Sequence, residues 1–419
     1  LGRGLKQAGY EVRIATSRTF ESFVTRYGLE FFPLNVDVFE LSSSGKADGI
    51  LGSTSPLKYL FSVIRTFGPV LEQVQHDSWK ACQNTDAIIY HQSLPNSYFI
   101  AQHLGVPCFL ATLYPISMTR TQPHVMFYGG PRLGDTYNWL TYELTDEVGW
   151  QICRPSIRKF WRKQVNYSPA PFVSPHRRQR GEGLRYLYGY SHHVFPRPAD
   201  WPDHLHITGY WFLDDLEGWE PPADLLHFLA SGPPPVYVGF GSMSNRNTAH
   251  ETTRIVLSAL ARSGQRGILA TGWGGLAEEV VVPDNVYVLR SVPHSWLFPK
   301  MAAVVHHGGA GTTAAGLRAG IPTIIIPHTA EQPAWGRRVE ELGVGPAPIA
   351  RKNLTAEQLA NAITCATTDE GMRARATLLG HRIRDENGVE QAVNVFSHYT
   401  RLFSPTYRPF DRSPSSYFG

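Results

Sequence analysis

The stretch AAVVHHGGAGTTAAGLRAGIPTIIIPHTAEQ, residues 302–332, limits this chain to a parallel α/β fold. Its two apolar runs, AAVVH and PTIII, are short and do not alternate with polar residues, the mark of strands covered on both faces. Between them lie Gly308, Gly309 and Gly311, followed by a helical segment over residues 312–318 that Gly320 stops. Strand, loop, helix and strand in so few residues form one βαβ crossover, which joins parallel strands.

The same rhythm recurs along the chain. Residues 233–243 read as a strand entering a glycine loop, 252–263 as a helix, 266–271 and 286–289 as strands, and 354–366 and 370–384 as helices. Earlier, a helix end stopped by Gly9 leads into a strand at 11–15 and a loop at 16–19. A strand at 86–90 (DAIIY), a helix at 98–104 closed by Gly105, a strand at 106–111 and a strand at 205–212 follow.

A length of 419 residues exceeds what one hydrophobic core supports. Two doubly wound halves are therefore expected: residues 1–213, a linker at 214–232 rich in charge, Gly and Pro, residues 233–400, and a loose Pro- and Ser-rich tail at 401–419. The first half is entered at a helix. The opening strand of such a sheet is central, so that strand and its loop are expected to lie upstream of Leu1. Residues 112–175 read as irregular and rich in aromatics, suited either to a ligand wall or to ordinary core packing.

The glycine loop at 308–311 lets backbone approach a ligand, and the following helix start offers N–H groups and a positive dipole end to an anion. His306 or His307 can donate to an anionic oxygen there. The glycine spacing matches neither a GK[ST] loop nor G-x-G-x-x-G. A second loop, GFGSM at 239–243, also follows a strand and can face the same anion. Glu331 and Gln332 follow the next strand, where an acid beside an amide can hold neighbouring hydroxyls. The chain contains no D-x-D, so no carboxylate-held metal is indicated, and no bound cofactor is expected.

A net charge of +4 argues against a nucleic-acid protein while allowing anionic ligands. Arg154, Arg158, Lys159, Arg162 and Lys163, on a segment that reads as a helix, and then Arg177, Arg178 and Arg180, form a basic cluster compatible with a solvated helix face and loop or an anionic membrane surface. Cys82, Cys108, Cys153 and Cys365 are too scattered for a zinc knuckle or a disulfide framework. That cysteine pattern fits a reducing cytoplasm, and no apolar run is long enough to span a bilayer, so membrane contact is expected to be at most peripheral.

The segments GFGSM, TGWGG (271–275), SVPHSWLFPKM (291–301), residues 306–346 and ITGYWF together resemble the UDP-sugar-dependent glycosyltransferases with two facing Rossmann-like domains, the GT-B architecture. The resemblance is greatest to bacterial and fungal sterol 3-beta-glucosyltransferases and weaker to the vancomycin-group antibiotic glycosyltransferases. MTRTQPHVMF (118–127) and YNWLTYELTDEVGWQ (137–151) are similar to the sterol branch in particular.

That resemblance implies a UDP-sugar co-substrate, a sterol-like or other lipophilic alcohol as acceptor, and transfer with inversion. It places Ser242 near the diphosphate, Val292 and His294 beside the uracil, and Trp273 on the nucleotide wall. His306 or His307, Gly309, Ala310, Gly311 and Thr312 would hold the phosphates, and Glu331 and Gln332 the sugar. Members of that family commonly carry Asp where this chain has Glu331. The family's general base sits in its N-terminal loop, so none is assigned here; His91, after the DAIIY strand, is the candidate within the chain. The alternative expectation is a UDP-sugar-binding module without turnover.

Overall fold

The computed structural model describes residues 1–35, 70–214, 219–241, 249–271, 276, 281–328 and 331–403. Strand β1 (Arg13–Ser17) pairs in parallel with β2 (Glu30–Leu34). Strands β3 (Ile88–His91), β4 (Cys108–Thr112), β5 (Arg185–Tyr188) and β6 (Leu205–Ile207) form a parallel sheet in that order. Strands β7 (Val236–Gly239), β8 (Gly267–Ala270), β9 (Val286–Leu289), β10 (Ala303–His306) and β11 (Thr323–Ile325) form a second sheet in the order β11-β10-β7-β8-β9, again parallel. Every residue of β7, β10 and β11 is buried, as a sheet with helices on both faces requires.

The strand order of the second sheet fixes where a ligand can sit. The chain lays down β7, β8 and β9 toward one side, then returns to place β10 and β11 on the other side of β7. The switch therefore falls between β7 and β10, and their loops part at the carboxyl ends to leave a crevice. Register pairs His306 with Gly239 of β7 and with Ile325 of β11, so His306 stands at the rim of that crevice.

The expectation of irregular chain over 112–175 is corrected by a 31-residue helix, Asp135–Val165, with Pro155 in its interior. Its buried side mixes Asn138, Thr141 and Ser156 with Tyr142, Trp150, Ile157, Phe160 and Trp161, and the polar members blur the apolar period that marks a helix. Trp150, Phe160 and Trp161 are core residues, so core packing accounts for these three aromatics.

The helix Gly388–Leu402, which the sequence reading did not single out, closes the fold. It carries Val393 and Phe396 onto Leu5, Phe109 and Leu187 of the first half, with the Phe109 and Phe396 rings 5.0 Å apart. The chain thus returns to the first half after building the second sheet. The halves also share one apolar core, in which Phe195 meets Trp335 edge to face at 5.4 Å. Polar contacts frame it: the Tyr128 hydroxyl donates to Glu341 Oε2 at 2.7 Å, and Arg132 pairs with Glu341 at 2.9 Å.

Candidate functional site

The crevice is lined by groups whose conformation follows from small residues. His306 is fully buried, and its Nδ1 accepts the Gly308 N–H at 2.9 Å, a turn that Gly308 makes at φ +90°. Acceptance at Nδ1 puts the ring proton on Nε2. That nitrogen is buried with no hydrogen-bond partner among the described residues. Burial, followed by His307 and His294 nearby, holds the His306 pKa well below the usual value, so the ring is a neutral N–H donor.

The His307 ring lies between the two glycine loops. A Cβ on Gly309 would stand 2.6 Å from its Nε2, and one on Gly241 would stand 3.0 Å from its Cε1, so a side chain at either position would press on the ring. Its Nδ1 is also buried without a hydrogen-bond partner among the described residues. Burial, then the adjacent His328, lowers its pKa to about 4. The structure therefore brings the 239–241 and 306–309 loops to one place.

Helix Ala310–Ala319 starts at this point. Gly309 at its cap is extended, supplies no side-chain cap, and no acidic residue stands in the first turn. The first intrahelical bond runs from Thr313 N to Gly309 O at 2.9 Å, which leaves the N–H groups of Ala310, Gly311 and Thr312 ahead of the ladder. Those amides and the dipole end favour an anion.

Gln332 is buried beside the loop: a Cβ on Gly308 would stand 3.3 Å from the Gln332 Cβ. Its Oε1 accepts the His328 N–H at 2.7 Å, which orients the amide. It also opens a helix, Gln332–Glu341, with Pro333 in the first turn. Glu331 precedes it and reaches the first half, where its charge adds to burial in raising the Tyr114 pKa to about 12. Tyr114 follows β4, and its hydroxyl accepts from Gln92 Nε2 at 2.6 Å, next to His91 at the end of β3. Tyr114 and Glu331, just beyond the carboxyl ends of β4 and β11, thus come near enough for one charge to act on the other group. Sequence reasoning missed Tyr114 and Gln92; their only signal was position just beyond strands.

Val292 is buried, and His294 stacks on Phe298 with centroids 4.3 Å apart and lies 3.4 Å from the Tyr237 hydroxyl. Burial lowers the His294 pKa to about 4, so its ring serves as neutral packing that borders the crevice. His91 Nδ1 is 3.1 Å from Ser93 Oγ, and burial lowers its pKa, which leaves a neutral ring able to accept a proton. Ser242 and Trp273 lie outside the described residues.

Residues 255–391 match the family model described as the C-terminal domain of erythromycin biosynthesis protein CIII-like proteins. The chain is 35% identical over 404 residues to a sterol 3-beta-glucosyltransferase of Sclerotinia sclerotiorum, an alignment covering 94% of this chain and 27% of that protein. It is 34% identical over 406 residues to a sterol 3-beta-glucosyltransferase of Emericella nidulans, covering 94% of this chain and 28% of the relative. The chain thus spans about a quarter of the length of these curated relatives.

Among solved structures, the glycotransferase of kitacinnamycin superposes with a TM-score of 0.65 at 19% identity, covering 94% of this chain and 93% of that one. CalG4, the calicheamicin glycosyltransferase, superposes with a TM-score of 0.64 at 17% identity, covering 96% and 95%. By sequence and by fold alike the chain's relatives are glycosyltransferases, and it carries the GT-B architecture of two facing Rossmann-like halves.

Proposed function

We propose that this chain transfers a hexose, glucose by its resemblances, from a UDP-sugar to the hydroxyl of a sterol-like acceptor, with inversion and without a metal. The observation that carries the reading is the crevice between β7 and β10, where the neutral His306, the open start of helix Ala310–Ala319 and two glycine loops converge. In this reading the acceptor oxygen attacks the anomeric carbon as the bond to UDP breaks, and the β-phosphate takes the electron pair. His306 or His307 and the N–H groups at Gly309 to Thr312 stabilise that charge without a divalent ion. Val292 and His294 border the uracil with Trp273, Ser242 approaches the diphosphate, and Glu331 with Gln332 holds the sugar hydroxyls. The acceptor proton passes to a base on the first half, for which His91 is the candidate in this chain. Holding the two substrates in line supplies much of the rate.

The acceptor would come from a lipid surface. No described helix is long and apolar enough to cross a membrane. Helix Asp135–Val165 does, however, expose Leu140, Leu144 and Val148 at a spacing of four, with Phe172 and Val173 exposed in the loop bonded beside it. Arg158 and Arg162 repeat the Leu140 and Leu144 positions about five turns later, so one outer face runs from apolar to basic. Several cluster members are already engaged: Lys159 pairs with Glu72 at 2.6 Å, and Arg180 with Asp146 at 3.2 Å. A peripheral, cytoplasmic-side membrane contact follows from this face in our reading.

The direct test is transfer of labelled glucose from UDP-glucose to a sterol in EDTA, with UDP binding measured separately. Sterol glucoside formation of the β configuration supports the proposal. UDP binding without any transfer to a panel of lipophilic alcohols would instead favour a non-catalytic UDP-sugar-binding module.

A further inference from the structure

We propose that His192, His193 and Glu386 form a binding site for a divalent cation of the zinc class at the junction where the chain crosses between its halves. One ligand atom from each lies within 4.8 Å of the others. His192 Nδ1 is 3.1 Å from Glu386 Oε1, close to the roughly 3.3 Å that separates two ligands held tetrahedrally at about 2.0 Å from zinc. The two imidazoles lie close together, with centroids 3.9 Å apart and planes tilted by 40°. Bringing the third ligand to the same spacing asks for a shift of at most about 1.5 Å, within the reach of partly exposed rings.

The carboxylate is placed before any ion arrives. Ser191 Oγ donates to Glu386 Oε1 at 2.8 Å and in turn accepts the His193 N–H at 3.1 Å, which ties the histidine pair to the acid. Glu386 Oε2 is buried and has no hydrogen-bond partner among the described residues. A buried carboxylate with one oxygen lacking a donor is costly, and a cation on Oε1, the oxygen that faces His192, would offset its charge. The opposing influence is Arg382, whose charge acts on His193 and weakens the field for a dication.

Position gives such an ion a structural consequence. Glu386 sits between helix Glu370–Arg384, which belongs to the second half, and helix Gly388–Leu402, which packs on the first sheet. The histidines follow β5 of the first sheet. An ion held by both would clasp the crossover, away from the β7–β10 crevice, and its binding does not depend on the sugar-transfer reading.

The test is calorimetric titration of the full chain with Zn²⁺, repeated with Co²⁺ while following visible d–d absorption. Wild type should bind one equivalent more tightly than the remaining surface histidines do, with a rise in melting temperature. His193→Asn and Glu386→Gln should each weaken that equivalent at least about tenfold and remove the rise, since even losing groups behind a ligand costs about 10- to 100-fold. Because Glu386 is packed into the junction, His193→Asn, at a partly exposed ring, carries the result if the Gln variant does not fold. UDP binding in EDTA should be unchanged in both. Equal stoichiometry and affinity in wild type and His193→Asn, or no binding by wild type, would overturn the proposal.

Discussion

Gly309 stands so close to His307 that a single methyl group on it would lie 2.6 Å from the imidazole Nε2. Gly309 also caps the helix whose open amides meet the anion. Gly309→Ala should therefore push His307 out of its place between the two glycine loops and weaken UDP binding by about tenfold or more, roughly 1.4 kcal/mol. The chain should still fold, because the backbone at Gly309 is extended with φ −61°. Calorimetry on the variant checks this, and unchanged UDP affinity would separate the loop from the phosphate.

Acid should destabilise the chain at higher pH than carboxylates alone would require. His124, His294 and His307 are held neutral by burial with pKa values lowered to about 4. The unfolded chain binds these protons near pH 6.5, so it binds more protons than the folded chain between about 6.5 and 4. Folding stability is full above pH 6.5 and falls as pH drops through that window, by up to about 1.4 kcal/mol per pH unit for each histidine. Denaturant midpoints measured from pH 8 to pH 4.5 should be flat above 7 and fall steeply below 6. A profile flat to pH 5 would mean these rings are solvated.

Glu331 should discriminate the sugar from the nucleotide. Its charge acts on Tyr114 of the first half, and it lies after β11, just ahead of helix Gln332–Glu341. Glu331→Ala should weaken UDP-glucose binding by about 1–3 kcal/mol, the cost of unpairing a polar contact, and leave UDP binding nearly unchanged. Equal losses for both ligands would move Glu331 from the sugar to the nucleotide.

The outer face of the long helix should govern lipid contact. Leu144→Glu places a charge in the exposed apolar stripe without touching the buried side. Sedimentation with vesicles containing anionic lipid should drop several-fold for this variant and for Arg158→Glu, with UDP affinity unaffected. Vesicle binding that neither variant changes would leave this face without a role.

Legibility in the sequence followed burial. Strands such as VYVL at 286–289 and the helix at Glu370–Arg384 were read at their observed bounds, because short apolar runs and a charged amphipathic helix have one stable interpretation in a parallel sheet. The helix Asp135–Val165 was obscured by Asn138, Thr141 and Ser156 on its buried side, and Gly388–Leu402 by the absence of a sequence cue for packing on the distant first sheet. The glycine–histidine loop was legible because its residues violate what a strand or helix wants. Tyr114 and Gln92 were not, because their significance arises only when Tyr114 and Glu331 come near each other.

In the proposed function the β7–β10 crevice binds the nucleotide diphosphate with its own N–H groups. Calorimetric titration of UDP into the chain in EDTA, with His306→Ala in parallel, addresses it most directly. One site of unchanged affinity is expected when Mg²⁺ or Mn²⁺ replaces EDTA, with a loss of about 1–3 kcal/mol for His306→Ala as the buried Nε2 donor disappears. Binding that appears only with added metal, or that His306→Ala leaves intact, would contradict it.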